Sequence, residues 1–247
     1  MKIIGIPGVN GLGHTQGCEK APEIILKGIR HEKIELNRDN IEEQQKIIYE
    51  SAKQFLKEKC VFVGGDHSIS YPIVMAFMGR DEKEKCLIIF DAHADAMLPM
   101  REPTHEEWLR AVVEAGFAGR NVILIGARAI EHEESEFLKT KEINLISVEE
   151  AANISATINK IKKIASGKEI YLSLDLDVIN PEEFSSTGYI AKGGLSVENT
   201  KKLLDEILKL DVSAGDIVEF NPERGEPEKG LIVARKMLRR FISALAE

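Results

Sequence analysis

Short apolar runs alternate with longer amphipathic segments along almost the whole chain. Eight of the runs are rich in β-branched residues and have the length of strands. They are KIIGI at the N-terminus, KIELN from Lys33, CVFVGG from Cys60, CLIIFDA from Cys86, NVILIGA from Asn121, INLISV from Ile143, EIYLSLD from Glu169 and SAGDIVEF from Ser213. Several are apolar at nearly every position, which is typical of strands buried on both faces of a parallel sheet.

The segments between these runs show helical spacing. Apolar residues recur every three or four positions, so each segment has one apolar side. The predicted helices cover Asn40–Phe55, a segment from about His105, Ala152–Ala165, Val197–Leu208 and Glu228–Leu245. This alternation predicts an α/β fold, a three-layer doubly wound sandwich around a mainly parallel eight-stranded sheet. The length of 247 residues and the lack of an evident linker predict a single domain over residues 1–247.

Composition narrows the class of protein. The formal net charge of -8 argues against nucleic-acid binding, because domains that bind nucleic acid are normally basic. No apolar run approaches the ~18 residues of a membrane span, and Gly and Pro interrupt the N-terminus too early for a signal peptide. Cys18, Cys60 and Cys86 are predicted to be buried thiols, so a cytoplasmic location is expected.

Unusual polar residues follow four of the predicted strands. GGDHS (residues 64–68) follows the third strand, DAHAD (91–95) follows the fourth, SLDLD (173–177) ends the seventh and VEFNP (218–222) ends the eighth. In an open parallel sheet, ligands bind at the carboxyl edge of the strands. Side chains from these four motifs are therefore predicted to converge on one site.

The first three motifs supply two imidazoles and four carboxylates, which would repel each other unless a cation neutralised them. Mixed oxygen and imidazole ligands suit Mn²⁺, and six side chains exceed the needs of one ion, so a two-metal site is predicted. The predicted metal ligands are His67, Asp91, His93, Asp95, Asp175 and Asp177. Taken separately, the motifs have simpler explanations: Asp66 or His67 as a turn or helix cap, and SLDLD as a strand end with an Asx turn.

In these motifs and their order, the sequence resembles the ureohydrolases, the family of arginase and agmatinase. GGDHS, DAHAD and SLDLDVINP resemble the family's three metal-binding signatures, and GCEKAPEIIL, STGYIAKGGLS and IVEFNP are similar to its flanking segments. The resemblance covers nearly the whole chain. It implies an arginase-like sandwich, homo-oligomers (trimers or hexamers) and a dinuclear manganese hydrolase. Such an enzyme cleaves a guanidino compound to urea and an amine through attack by a metal-bridging hydroxide.

The resemblance also implies roles for individual residues. One manganese ion would bind His67, Asp91, Asp95 and Asp175, and the other would bind His93, Asp91, Asp175 and Asp177. Glu219 would hold the guanidinium group, whose planar shape a carboxylate matches. Asp95 would accept a hydrogen bond from the hydroxide, and His105 would shuttle a proton to the leaving amine. For Glu219 and His105 the residues alone leave simpler explanations open, a surface carboxylate and an exposed first-turn histidine.

Departures from the family pattern fall on the predicted substrate pocket. Met97 stands where arginases have Asn, Glu106 replaces a glycine, and Tyr189 with Ile190 replaces Thr-Pro. Met97, Arg101, Tyr189 and Glu219 are the predicted substrate-binding residues. Arg101 is a candidate partner for a carboxylate tail, whereas the free amine of agmatine would need a carboxylate, for which Glu102, Glu106 and Glu107 are candidates. The substrate is left open among agmatine, arginine and related guanidino acids.

Two other functions stay open at this point. One is a formiminoglutamate-type or deacylase-type metal hydrolase of the same superfamily. Deacylases typically use one zinc ion and fewer carboxylates, so His67 and the full DAHAD motif argue against them. The other is a non-catalytic metal-binding homologue, which the changes at Met97 and Tyr189 would allow. Glu219 argues against it, because a structural metal site needs no carboxylate for a guanidinium group.

Overall fold

Eight strands form one sheet in the computed structural model, which describes residues 1–37, 40–79 and 84–246. The strands are β1 (Lys2–Ile6), β2 (Glu32–Lys33), β3 (Cys60–Gly64), β4 (Lys85–Phe90), β5 (Val122–Ile125), β6 (Asn144–Ile146), β7 (Glu169–Asp175) and β8 (Val212–Val218). Their order is β2-β1-β3-β8-β7-β4-β5-β6, and neighbouring strands are parallel. The predicted α/β fold with an eight-stranded, mainly parallel sheet is confirmed.

Helices cover both faces of this sheet. They are α1 (Ala21–Ile25), α2 (Ile41–Phe55), α3 (Ser70–Met78), α4 (Trp108–Glu114), α5 (His132–Thr140), α6 (Val148–Ala152), α7 (Ile154–Ala165), α8 (Val197–Ile207) and α9 (Pro227–Leu245). Along β4, Ile88 belongs to the apolar cluster under α7, α8 and α9, whereas Leu87 belongs to the cluster under α2, α3 and α4. Since successive side chains of a strand point to opposite faces, a continuous apolar run supplies both layers of the core.

Three predicted elements differ from the structure by more than a shift of one or two residues at an end. The helix expected from about His105 begins at Trp108, because the Thr104 hydroxyl accepts a hydrogen bond from the Glu106 backbone N–H and holds residues 105–107 in a turn. The helix expected over Ala152–Ala165 is divided, because the Asn153 side chain accepts from the Ala156 backbone N–H and caps α7. Of the run KIELN, only Lys33 lies in a strand, the exposed two-residue edge strand β2, so the strand predicted from Lys33 is wrong.

The order of the strands brings the four polar motifs together. β3, β8, β7 and β4 are neighbours in the sheet, and each is buried at every position. Because all four run in the same direction, the motifs that follow them meet at one edge of the sheet. That edge is where the ionisable side chains predicted to bind metal are found.

Two expectations from composition also bear on the structure. Cys18, Cys60 and Cys86 are buried and form no disulfide with one another, as predicted. Within the described residues, every helix is too short or too polar to cross a lipid bilayer.

Candidate metal centre

His67 lies at the centre of a first group of carboxylates. Its Nδ1 atom is 3.0 Å from Oδ2 of Asp91, 3.0 Å from Oδ2 of Asp95 and 3.2 Å from Oδ2 of Asp175. All four side chains are buried. The sheet positions them, since His67 follows β3, Asp91 and Asp95 follow β4, and Asp175 ends β7. The ligand atoms of His67, Asp91 and Asp95 all lie within 4.8 Å of one another, as in the ligand shell of a divalent ion, and Asp175 joins this group through its contact with His67.

A second group lies beside the first and shares Asp91 with it. The Nδ1 atom of His93 is 2.8 Å from Oδ2 of Asp177 and 3.6 Å from Oδ1 of Asp91. Asp91 therefore turns one oxygen toward His67 and the other toward His93. This is the geometry expected of a carboxylate between two adjacent cations. The bridging role expected of Asp175 stays a prediction, since its contact to a histidine lies in the first group.

Two atoms of the first group lack a hydrogen-bond partner. Nδ1 of His67 and Oδ2 of Asp91 are fully buried, and the described residues supply no hydrogen bond to either atom. Buried polar atoms are almost always satisfied, so an unsatisfied imidazole nitrogen beside an unsatisfied carboxylate oxygen indicates a missing bound species. A divalent ion fits both atoms, because each would donate a lone pair to it.

A chain of hydrogen bonds from the core fixes the orientation of His67. The Ser173 hydroxyl donates to Oδ1 of Asp216 at 2.6 Å and lies 2.9 Å from Nε2 of His67. Because the serine proton is used on Asp216, the Ser173 oxygen accepts from Nε2–H. In the neutral imidazole, which is the form that binds a metal ion, Nδ1 then carries the lone pair and faces the carboxylates. Tyr171 and Ser70 also donate to Asp216, each at 2.7 Å, and hold this carboxylate in place.

Sequence reasoning missed this chain of hydrogen bonds. Asp216 lies within the apolar run SAGDIVEF and is fully buried. A carboxylate inside a buried strand is costly unless several donors surround it, and this was the available signal. Its donors lie on β7 and α3, and only the folded structure shows that these elements lie next to Asp216 on β8.

Replacing Ser173 with alanine is expected to weaken metal binding by roughly tenfold to a hundredfold, because His67 loses the acceptor that sets its tautomer. Calorimetric titration of the metal-free protein with Mn²⁺ measures the affinity. Ser70→Ala is the matched control, since the Ser70 hydroxyl donates to the same carboxylate from α3. The Ser70 backbone N–H, which donates to the His67 carbonyl, is kept by this substitution. Equal losses of affinity in the two variants would contradict the tautomer argument and indicate a general loosening around Asp216.

Burial and crowding perturb the carboxylates in the absence of a cation. Burial, reinforced by the charge of Asp91, raises the pKa of Asp95 to about 8. Burial, together with Asp177 and Asp91, raises the pKa of Asp175 well above its ordinary value. Both carboxyl groups therefore bind protons more readily than free carboxyl groups do, and a bound cation would displace those protons.

Asp95 is fixed by the first residue of α4. The indole N–H of Trp108 donates to Oδ2 of Asp95 at 2.8 Å, and the indole ring lies 4.6 Å from the His67 ring. The backbone of Asp95 has a φ of 48°, a left-handed conformation that is uncommon for residues other than glycine. Glu219 shares this feature, with a φ of 66°. Backbone strain of this kind concentrates at functional sites, where the surrounding structure holds it.

Glu219 and His105 are both buried beside the first group, with 3% and 7% of their surfaces exposed. Glu219 accepts a hydrogen bond from the His67 backbone N–H at 3.0 Å, and Nδ1 of His105 is 3.8 Å from the same carboxylate oxygen. The Cys18 thiol donates to the other oxygen at 3.6 Å. Burial, and then the charge of Asp66, raises the pKa of Glu219 well above its ordinary value. A surface carboxylate and an exposed histidine are thus wrong descriptions of these residues.

A cavity of about 380 Å³ opens above these side chains. Of the four predicted substrate-binding residues, the structure places three in its wall: Met97, Tyr189 and Glu219. Arg101 lies elsewhere, with 78% of its side chain exposed and its guanidinium 3.1 Å from both Glu42 and Glu102. Of the two residues for which a cap was considered, Asp66 is the cap: its carboxylate accepts a hydrogen bond from the Ser68 backbone N–H at the start of the turn His67–Ile69.

The chain matches a known protein family over nearly its whole length. The model of the arginase family matches residues 1–243. The protein belongs to the arginase family. Arginase from Glycine max is 27% identical over 212 residues, which cover 83% of this chain and 60% of that protein. Agmatinase from Neisseria meningitidis serogroup C is 30% identical over 188 residues, which cover 73% of this chain and 59% of that protein. The chain thus spans about 60% of the length of the curated relatives it matches.

Solved structures of arginase-family proteins share the fold. Proclavaminate amidino hydrolase from Streptomyces clavuligerus superposes with a TM-score of 0.90 at 19% identity, covering 99% of this chain and 92% of that chain. Formimidoylglutamase from Bacillus subtilis superposes with a TM-score of 0.90 at 20% identity, covering 98% of this chain and 86% of that chain. At these identities the likeness concerns the fold, and it confirms the arginase-like sandwich.

Proposed function

We propose that this arginase-family protein is a dinuclear manganese hydrolase that cleaves a guanidino compound to urea and an amine. The observation that carries the proposal is the position of Glu219, a buried carboxylate that accepts a hydrogen bond from the backbone of the metal-ligand candidate His67. A carboxylate beside two histidine–carboxylate groups is suited to hold a planar cation against them. The names of two relatives, an arginase and an agmatinase, support the same activity.

The proposed roles follow from the contacts of each side chain. When bound, two Mn²⁺ ions would supply an acidified water nucleophile and a Lewis acid at this edge of the sheet. Glu219 binds the guanidinium group and orients its carbon toward the two metal-ligand groups. Asp95, held by the Trp108 indole, accepts the proton of the attacking water. His105, 3.8 Å from Glu219, delivers a proton to the leaving amine.

The charges of the cavity wall favour a substrate with a cationic tail. Neither lysine nor arginine lines the cavity in the described part of the chain, and Arg101 points away from it. Glu134 in the wall accepts backbone N–H groups with both of its oxygens. Glu106, whose side chain is 43% exposed, lies in the same wall beside His105. A tail ending in an ammonium group, as in agmatine, would therefore meet a carboxylate, whereas a carboxylate tail would be repelled.

Release of urea from a panel of guanidino compounds tests this function. The Mn²⁺-loaded protein is given agmatine, arginine, guanidinobutyrate and guanidinopropionate, and formiminoglutamate is scored by formamide. We expect kcat/KM for agmatine to exceed that for guanidinobutyrate by roughly tenfold or more, because like charges repel in the wall. Faster cleavage of guanidinobutyrate would contradict the charge argument. Failure to cleave any compound with two ions bound would contradict the hydrolase and favour a non-catalytic homologue.

Three further properties belong to the proposal. We expect one catalytic domain over residues 1–247, a homo-oligomer such as a trimer or hexamer, and a cytoplasmic location. Each stays a prediction from the sequence and its family resemblance. Light scattering on the purified protein measures the assembly directly.

A further inference from the structure

The chain passes unusually close to Glu219 at Gly188. A Cβ atom on Gly188 would lie 2.8 Å from Oε2 of Glu219, which is closer than side chains approach a carboxylate oxygen. A larger residue at this position would require the Glu219 carboxylate to shift. The next residue, Tyr189, is thereby placed in the wall of the cavity that holds Glu219.

Three histidine rings surround the phenol ring of Tyr189. The ring centroid is 5.9 Å from that of His93, 5.9 Å from that of His105 and 5.8 Å from that of His14. His93 belongs to the second metal-ligand group, and the two rings are perpendicular. Packing on these sides restricts the orientation of the tyrosine ring, although 41% of the residue is exposed at the mouth of the cavity.

Tyr189 also separates the metal cavity from a neighbouring one. The second cavity, of about 630 Å³, is lined by His14, Thr187 and Arg224 among others. Tyr189 and Ile190 line both cavities. The aromatic ring is therefore part of the wall that limits the size of a ligand bound above the metal-ligand groups.

We propose that Tyr189 determines specificity by covering the guanidinium group bound to Glu219 and closing the metal cavity against its neighbour. This inference rests on the proposed function, since it needs a guanidinium group at Glu219. A delocalised planar cation stacks favourably on an aromatic face, and a carboxylate in its plane leaves that face available. An aromatic wall also rejects bulky tails, which a smaller residue would admit into the second cavity.

Two variants separate the ring from its hydroxyl group. Tyr189→Thr removes the ring, and we expect KM for agmatine to rise roughly threefold to thirtyfold with a smaller change in kcat. Phenethylguanidine serves as the probe with a bulky neutral tail. The preference for agmatine over this compound, as a ratio of kcat/KM values, should fall by roughly tenfold or more in Tyr189→Thr. Tyr189→Phe keeps the ring and should keep the wild-type ratio within about twofold.

Binding provides a readout that does not depend on turnover. If the wild-type protein releases no urea, the proposed function fails, and equilibrium dialysis with agmatine still tests the aromatic wall on the same three Mn²⁺-loaded proteins. A Kd for agmatine that is unchanged in Tyr189→Thr would overturn the inference. Equal losses of agmatine affinity in Tyr189→Phe and Tyr189→Thr would also overturn the inference, because the effect would then come from the hydroxyl group and not from the ring. Loss of bound Mn²⁺ in Tyr189→Thr would overturn it in favour of structural support for His93.

Discussion

Replacing Asp91 with asparagine is expected to reduce urea release by roughly a thousandfold or more. Asp91 directs Oδ2 at Nδ1 of His67 and Oδ1 at Nδ1 of His93, so it is the carboxylate common to both metal-ligand groups. An amide offers one weak acceptor in place of two charged oxygens and cannot serve two cations. The variant should therefore hold fewer than two ions per chain and lose the chemistry that depends on both.

Metal content and turnover must be measured together on this variant. Elemental analysis after dialysis gives ions per chain, and urea release from agmatine gives kcat/KM. Glu133→Gln is the matched control, because Glu133 is a carboxylate of α5 that is 48% exposed and pairs with Arg110. The control should behave as wild type in both measurements. An Asp91→Asn protein that binds two ions and keeps turnover within about tenfold of wild type would refute the shared-carboxylate geometry.

The position of the candidate metal ligands at one edge of the sheet was predictable, because these residues lie in short motifs at the ends of strands. Each of GGDHS, DAHAD and SLDLD follows an apolar run that can only be a strand or a buried helix, and parallel strands share a carboxyl edge. The order of the strands in the sheet could not be predicted from the sequence. β3 lies beside β8, and β8 lies beside β7, although about 150 residues separate the first pair along the chain.

Supporting contacts were not predictable, because they depend on side chains that meet through packing. Asp216 on β8 reaches His67 through Ser173 on β7, and Trp108 at the start of α4 reaches back to Asp95. For Arg101, the sequence predicted a contact that the structure does not contain. Its charge made it a candidate for the substrate, yet its loop turns it toward Glu42 on α2 and away from the cavity. Residue type indicates what a side chain can bind, whereas the fold decides what it meets.

Glu219 is expected to favour activity at a cost in stability. Glu219→Gln should lower kcat/KM by roughly a hundredfold to a thousandfold, because the guanidinium group loses its charged partner. The amide oxygen can still accept from the His67 backbone N–H, and the amide NH₂ would face the sulfur of Cys18, a weak acceptor, so the side chain keeps its place. The variant should also be more stable than wild type without metal, since a buried carboxylate is replaced by a neutral group of the same shape.

The pH dependence of that stability difference follows from the direction of the pKa shift. Burial raises the pKa of Glu219 in the folded protein, whereas the unfolded chain keeps an ordinary value. A carboxyl group with a raised folded pKa stabilises the fold below its unfolded pKa, and this stability is lost as pH rises toward the folded pKa. Wild type should therefore lose stability relative to Glu219→Gln by about 1 kcal/mol per pH unit across this window.

Urea denaturation of the metal-free proteins at pH 6, 7 and 8 measures this difference, and release of urea from agmatine is followed separately. Glu223→Gln is the control. Glu223 lies four residues after Glu219 in the chain, its side chain is half exposed, and it pairs with Lys20. It should show neither the loss of turnover nor the pH-dependent gain. Wild-type turnover in the Glu219→Gln protein would contradict the role of Glu219 in binding the guanidinium group. A stability difference that does not change with pH would mean that Glu219 is not the buried acid that the geometry makes it.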